Sequence, residues 1–567
     1  VIAPTQPRSA PRGFRPLRAD RPKTWACEHR TTLLALGIPL VLVIAATAWN
    51  LQGWPGRVDE DEGTYVAEAW AIIYEHHLAP YTYWYDHPPL GWAQLAAYIW
   101  LTDGFARYAT SVEVGREFML VVTAASSVLI YVLCCRLGFR PATAGLTVAL
   151  FGLSPLAVYY HRLVSLDNIG TLWLIAAMVA ATSRRRSLGA AFWAGMFSAV
   201  AVLSKETIAI LLPVVFWLVW QQAQPTTRKW HLAIYTATVT LFTAFYPLFA
   251  VLRGELFPGA GHVSLLWAAW WQLLGRTGSG FLLSSGTAAN GLLTLWLGTD
   301  RWLLLSGLVL APPAFFVRRL RPLAFGLLLQ AAMALTGGYL PYFYVTAMLP
   351  FAALVIGGIA DTLWNPVGDA SGNSGVLEWA RRFLVITAGV AAALLVVPQW
   401  ASALVRQAGE NGATDSLRAT AWVERHVPRQ DVVVVDDYLW LDLKRAGMNP
   451  LWEQKMASDA ESQGELPDGW RSVGYVVLTG QIMETLATLP ILQQAISHSV
   501  AVASFGDGIV VRRVIAGSAG RGDYDDAAHR GDRQPRRPEA GGLHQADGRR
   551  AANAPGSRAG AVHRGGH

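Results

Sequence analysis

The chain has 567 residues, 53% of them hydrophobic and only 15% charged, with 24 tryptophans and a formal net charge of +7. A soluble domain carries about 25% charged residues, so a soluble globular protein is excluded. The positive charge lies at the ends, seven Lys/Arg against two acids in residues 1–30 and nine Arg against six acids in residues 516–567. The near-neutral body between them excludes the broad basic face of a nucleic-acid binder.

Residues 1–30 read as a disordered, basic cytoplasmic tail. The first apolar run, 31–49, is an anchor rather than a removed signal, because no small-residue cleavage site follows a short apolar core. An outer loop, 50–115, comes next. It carries four consecutive acids, Asp59, Glu60, Asp61 and Glu62, then an amphipathic helix from Gly63 to Glu75, then Tyr85-Asp86-His87-Pro88-Pro89-Leu90. The apolar segment 90–101 is too short for a span and reads as re-entrant or interfacial.

Further spans are expected near 116–135, 142–158, 167–182, 188–203, 207–222, 231–252, 301–316, 323–338, 344–360 and 382–398. Apolar runs of this length are helices rather than barrel strands. If 90–101 does not cross, the basic segments at Arg136–Arg140, Arg184–Arg186, Arg228-Lys229, Arg318–Arg321 and Arg381-Arg382 all fall on the N-terminal side. If it does cross, they all move outside, against the positive-inside bias. The expected class is therefore an all-α polytopic membrane protein of about eleven transmembrane helices, N-terminus in and C-terminus out, whose transmembrane domain covers 31–398.

Residues 400–515 change character. Asp431–Asp437 (DVVVVDD), Tyr475–Leu478 and Ile509–Val511 read as strands, with helices over Asp415–His426 and Gly480–Thr488. A small extracytoplasmic α/β domain with a mixed sheet is expected. It opens on no glycine-rich phosphate loop, so it is assigned no chemistry. Residues 516–567 have almost no large apolar side chains and read as disordered. Cys27, Cys134 and Cys135 show no metal-type spacing.

The outward polar residues form a short set. A charge run such as 59–62 is ordinarily a solvated loop, but here it opens an amphipathic helix at the membrane surface and faces Asp86. Carboxylates in such a place serve as general bases or bind a divalent cation. Asp167 sits where a helix cap would sit, and capping and function are both open to it. Lys205 has snorkelling as its plain reading, yet it adjoins Glu206 in a tight outer turn where a phosphate could bind. His87 is equally a structural histidine or a proton donor, ligand or phosphate contact. Tyr81, Tyr83, Trp84 and Tyr85, and Trp267, Trp270, Trp271 and Trp296 further on, suit either an interfacial belt or a platform for sugar rings.

Asp61-Glu62-Gly63-Thr64-Tyr65 followed by Tyr85-Asp86-His87-Pro88-Pro89-Leu90-Gly91 resembles the first outer loop of the GT-C glycosyltransferases. The nearest branch is the protein O-mannosyltransferase and lipid A aminoarabinose transferase group. His161-Arg162-Leu163-Val164-Ser165-Leu166-Asp167-Asn168 resembles that group's second acidic motif, and Leu203-Ser204-Lys205-Glu206 its lysine turn. The matches occur in the family's order over residues 31 to about 400. The resemblance implies transfer of a hexose or pentose from a polyprenyl-phosphate carrier to a protein, glycan or lipid acceptor on the outer face, by a single inverting displacement. It makes Asp61 the base, with Glu62 and Asp167 supporting it or positioning the acceptor. It gives the donor phosphate to Lys205. His87 stands where some relatives have lysine. Arg162 and Arg276 are added as phosphate contacts from charge and side alone. Asp86, Tyr65 and Tyr85 are expected to position substrate. A divalent cation is left open, no cofactor is required, and a bacterial inner membrane is the expected location.

Two other classes compete. A transporter or flippase of lipid-linked sugars places ionisable or helix-breaking residues near the midplane of paired spans, often with an internal repeat. Here the acids gather at one surface and no repeat is visible. A non-catalytic anchor for the outer domain leaves those acids without a use.

Overall fold

The computed structural model describes residues 22–56, 61–364, 375–457, 459–506 and 508–515. Asp59, Glu60, most of the basic tail and all of 516–567 lie outside them, so the readings of those segments stand as expectations. Helix α1 covers Pro22–Ala48 and so starts inside the segment expected to be disordered. The amphipathic helix of the outer loop, α2, covers Asp61–Trp70 and ends in a π turn, Ala71–Glu75, closed by His76 at φ +59. It begins two residues earlier than expected, which puts Asp61 in its first turn.

The re-entrant candidate is helix α3, Leu90–Thr102. Long apolar helix α4 covers Ser111–Arg136. The expected span 142–158 is two helices, α5 (Pro141–Leu153) and α6 (Pro155–Arg162), bent by 63°. Ser154 stops the first and caps the second, accepting from the Ala157 N–H, and Pro155 takes the position where a helix needs no N–H. Helices α7 (Leu166–Ala181), α8 (Leu188–Ser204) and α9 (Leu212–Gln222, after a 3-10 turn from Glu206) are short apolar helices. Helices α10 (Arg228–Thr243) and α11 (Phe245–Leu252) run on as one span.

The loop expected over 253–300 contains a helix, α12 (Ala288–Thr299), which meets α13 (Arg301–Ala314) at 105°. Buried Asp300 makes that corner by accepting from the Trp302 N–H, the Ser154 hydroxyl and the Trp400 indole. It is thus a structural residue, not one facing the outside. Helices α14 (Arg321–Ala334), α15 (Met348–Trp364) and α16 (Gly375–Ala408) complete the apolar set. Among the described residues five helices are long and apolar enough to cross a membrane, or seven counting each bent pair as one span, besides four shorter apolar helices. The protein is a multi-pass membrane protein.

The C-terminal part holds helix α17 (Thr414–His426), strand β1 (Val432–Val435), helix α18 (Asp437–Arg445), and strands β2 (Asn449–Trp452), β3 (Val473–Leu478), β4 (Ser499–Phe505) and β5 (Ile509–Val514). The sheet order is β2-β1-β3-β5-β4, with β1 parallel to β2 and β3, and β5 antiparallel to β3 and β4. It is mixed, as expected, but has five strands where three were read. The two missed strands are its edges. Strand β2 carries Pro450, which only an edge tolerates, and β4 is half exposed on both faces and carries little apolar signal.

This part lies directly on the outer loop. Gly63 of α2 is so close to α18 that a Cβ there would fall 2.4 Å from the Asp437 carbonyl. Buried Trp440 hydrogen-bonds Tyr81, and Asp442 accepts from the Ser111 N–H and hydroxyl at the start of α4. Apolar side chains of α2, α3, β1 and β3 share one core.

Candidate active site

Helix α2 presents Asp61, Tyr65 and Glu68 on one side, since positions i, i+4 and i+7 share a helix face. Asp61 is partly exposed and accepts from the Tyr65 hydroxyl at 3.0 Å. The N-terminal end of the helix favours a carboxylate there. Asp437 of α18 accepts from the Thr64 N–H at 3.0 Å and so satisfies one of the orphan donors of that first turn.

Glu62 points about 100° away and does not face the cleft. Its carboxylate is fully buried and forked to Arg116 at 2.9 and 2.7 Å, with the Val164 N–H as a third donor. Of the two roles expected of Glu62, positioning the acceptor is corrected: the carboxylate clamps α2 to α4 and to the chain before α7, and so supports its neighbour Asp61. Arg116, read only as the start of a span, is its partner.

Arg162 is corrected for the same kind of reason. It is 1% exposed and donates to the carbonyls of Thr47, Trp49, Asn50 and Trp54. Thr47 lies in the last turn of α1, which leaves its carbonyls unpaired, and the other three lie in the turn that follows, so Arg162 ties the end of α1 to that turn and is not turned toward the cleft. Arg276 lies over the Tyr339 ring at 3.7 Å and donates to Gln272, which donates to the Asp86 carbonyl. It touches the site only through that relay.

The remaining residues converge. Buried Lys205, at the end of α8, has its Nζ 2.9 Å from His87 Nε2 and 3.7 Å from Asp167 Oδ2. His87 Nδ1 lies 3.0 Å from Glu206. When the imidazole is neutral, Lys205 can donate to Nε2 while Nδ1 donates to Glu206. Burial opposes a charged imidazole, but Glu206 outweighs it and, with Asp86, lifts the His87 pKa above the ordinary histidine value despite Lys205. Ser165 is the cap of α7, accepting from the Asp167 N–H. Asp167 is therefore free of the capping duty that its position suggested, and its carboxylate faces Lys205.

The fold brings these distant segments together through α3. Gly91 packs so tightly that a Cβ would lie 2.8 Å from the Ser204 carbonyl, and Gln94 bonds both the Ser204 hydroxyl and the Trp173 indole. Tyr83 and Tyr246 both donate to the His87 carbonyl. Tyr85 takes φ +54, a left-handed backbone unusual for an aromatic residue, and donates to Glu255 at 2.5 Å. Arg253 also donates to Glu255, which stays ionised because these donors outweigh its burial. Tyr85 thus anchors the loop to the segment after α11.

Two titratable residues beside the cleft were given no role by the sequence. Glu68, one of the outward polar residues of the first loop, is 5% exposed, and burial followed by the nearby Asp86 charge raises its carboxyl well above the usual range. Lys455, from the part assigned no chemistry, sits 3.9 Å over the Trp84 ring with Glu68 and Asp86 nearby. No local signal marks it. Among the described residues no three His, Cys, Asp or Glu side chains come together as a metal-binding set. Of the candidate ligands, Glu62 is engaged with Arg116, and His87 and Asp167 with Lys205.

The family described as dolichyl-phosphate-mannose-protein mannosyltransferase matches residues 86–249. No curated protein sequence matches the chain. In fold it is similar to ArnT from Cupriavidus metallidurans bound to undecaprenyl phosphate, with a TM-score of 0.56 and 14% identity over 87% of this chain and 100% of that one. It is also similar to the Archaeoglobus fulgidus oligosaccharyltransferase tethered with an acceptor peptide, with a TM-score of 0.51 and 12% identity over 86% of this chain and 74% of that one. The resemblance to GT-C glycosyltransferases therefore holds in sequence over 86–249 and in fold over most of the chain.

Proposed function

We propose that the protein transfers a sugar from a polyprenyl-phosphate carrier to an acceptor hydroxyl at the outer membrane face. The observation that carries this reading is the convergence of α2 with a buried Lys205 held by His87 and Asp167: Tyr65, which bonds Asp61, has its ring 6.1 Å from the His87 ring, and His87 bonds Lys205. Asp61 takes the proton of the acceptor hydroxyl. The acceptor oxygen then bonds to the anomeric carbon as the carbon–oxygen bond to phosphate breaks, with inversion. Polyprenyl phosphate leaves with the bonding electrons, and an ammonium beside it offsets the charge that develops. Lys205 has three N–H donors, and turning one from His87 or Asp167 toward a phosphate oxygen is a small movement.

An apolar groove of about 690 Å³ between α4, α7 and α8 supports a prenyl-linked donor. Trp173 in its lining bonds Gln94, which bonds Ser204, the residue before Lys205. A chain lying in this groove would end near the ammonium. In this reading the protein crosses a bacterial inner membrane eleven times with its N-terminus inside, and residues 400–515 lie outside over the cleft.

The test is transfer from radiolabelled polyprenyl-phosphate sugars to cell-envelope acceptors by wild type and Asp61→Asn. Loss of a general base lowers the rate by about 10²–10⁴-fold. Equal transfer by the two proteins refutes Asp61 as the base, and no turnover of any such donor by folded wild type refutes the function.

A further inference from the structure

Beyond Asp61, along the same face of α2, a small cavity lies between the outer loop and the C-terminal α/β part. Glu68, Trp84, Asp86, Trp440, Trp452 and Lys455 line it. Its volume, about 40 Å³, is room for roughly three water molecules, or for the hydroxyl-bearing edge of one sugar ring. Two buried polar atoms in its lining, Glu68 Oε2 and Trp452 Nε1, have no hydrogen-bond partner among the described residues. Leaving such groups dry costs about 1–3 kcal/mol each, so they point to a ligand with hydroxyls.

We propose that this cavity is an acceptor subsite for a neutral glycan, holding the hydroxyl-bearing edge of the ring next to the one that receives the sugar. This deepens the proposed function and rests on it for the word acceptor. The Glu68 carboxyl accepts from a hydroxyl and, when protonated, also donates, which matches a pair of vicinal hydroxyls. The Trp452 indole N–H supplies one further donor. Trp84 and Trp440, whose N–H groups are already bonded to Asp459 and Tyr81, close the cavity with apolar ring edges. Glu68 lies two helical turns, about 10 Å, beyond Asp61, further than the reacting ring itself extends. Charge argues against a phosphorylated lipid acceptor. Asp86, Asp437 and the partly screened Lys455 leave the cavity with no excess of positive charge.

The test is equilibrium binding to the detergent-solubilised full chain, using neutral gluco-, manno-, galacto- and arabino-trisaccharides, a serine/threonine peptide and a phosphorylated glycolipid. At least one trisaccharide is expected to bind wild type, about tenfold more weakly to Glu68→Ala, and within twofold of wild type to Glu68→Gln, which keeps a donor and an acceptor. In transfer assays with that trisaccharide, Glu68→Ala should raise KM about tenfold with kcat nearly unchanged. Binding of no trisaccharide, trisaccharide binding indifferent to Glu68→Ala, or a peptide or glycolipid as the Glu68-dependent ligand overturns the subsite. Wild type that binds a glycan through Glu68 but cleaves no polyprenyl-phosphate donor instead refutes the proposed function and leaves the glycan site standing.

Discussion

Replacing Glu62 by glutamine tests how α2 is held. The substitution keeps the shape but leaves the Arg116 guanidinium, 1% exposed, with no counter-charge. Removing one partner of a buried ion pair costs about 3–5 kcal/mol, a factor of about 150 to 4,000 in the folding equilibrium. Arg116→Met strands the Glu62 carboxylate with the Val164 N–H as its remaining donor and should cost a similar amount. The double variant Glu62→Met/Arg116→Met removes both charges. It leaves unpaired only the Val164 N–H and the Leu51 carbonyl that Arg116 had bonded, about 1–3 kcal/mol each. It should therefore be no less stable than either single variant. Chemical unfolding in detergent micelles, followed by tryptophan fluorescence, measures all four proteins. If the two single costs simply add in the double variant, within about 0.5 kcal/mol, the pair is not coupled and the clamp is refuted.

Two further outcomes follow from the site. The raised His87 pKa means that folding favours the protonated ring, so its contribution to stability is full below the ordinary histidine value and fades as pH rises through the folded pKa. Thermal unfolding of wild type and His87→Gln should differ most in acid and converge as the pH climbs above that range, and a gap that widens with pH contradicts the assignment. Gly63→Ala puts a methyl 2.4 Å from the Asp437 backbone, overpacking worth about 1–3 kcal/mol of destabilisation. Gly291→Ala, with nothing within 4 Å of the new methyl, should change stability by less than about 1 kcal/mol, and equal losses in the two would remove the close contact between α2 and α18 from the account.

The membrane class was legible because bilayer thickness imposes a length on every apolar run. The first loop, the Ser165–Asp167 turn and the Lys205-Glu206 turn were legible as candidates because ionisable groups stand out against so apolar a chain. The break at Ser154 was not, since apolar residues flank it and a hydropathy window averages over it, nor was the helix Ala288–Thr299 that leads into the Asp300 corner, which is too short to register as a span. The edge strands β2 and β4 also lacked any strong period.

What the sequence determined by itself is which residue types lie at the ends of the membrane helices. What only the tertiary structure decided is what each one meets. Arg162 meets the carbonyl end of α1, Glu62 meets Arg116, and Lys205 meets His87 and Asp167. A charge in a low-dielectric interior is defined by its partner, and these partners come from segments up to about a hundred residues away. The same holds for Glu68 and Lys455, which come together only because α18 packs against Gly63 and carries the following segment over the outer loop.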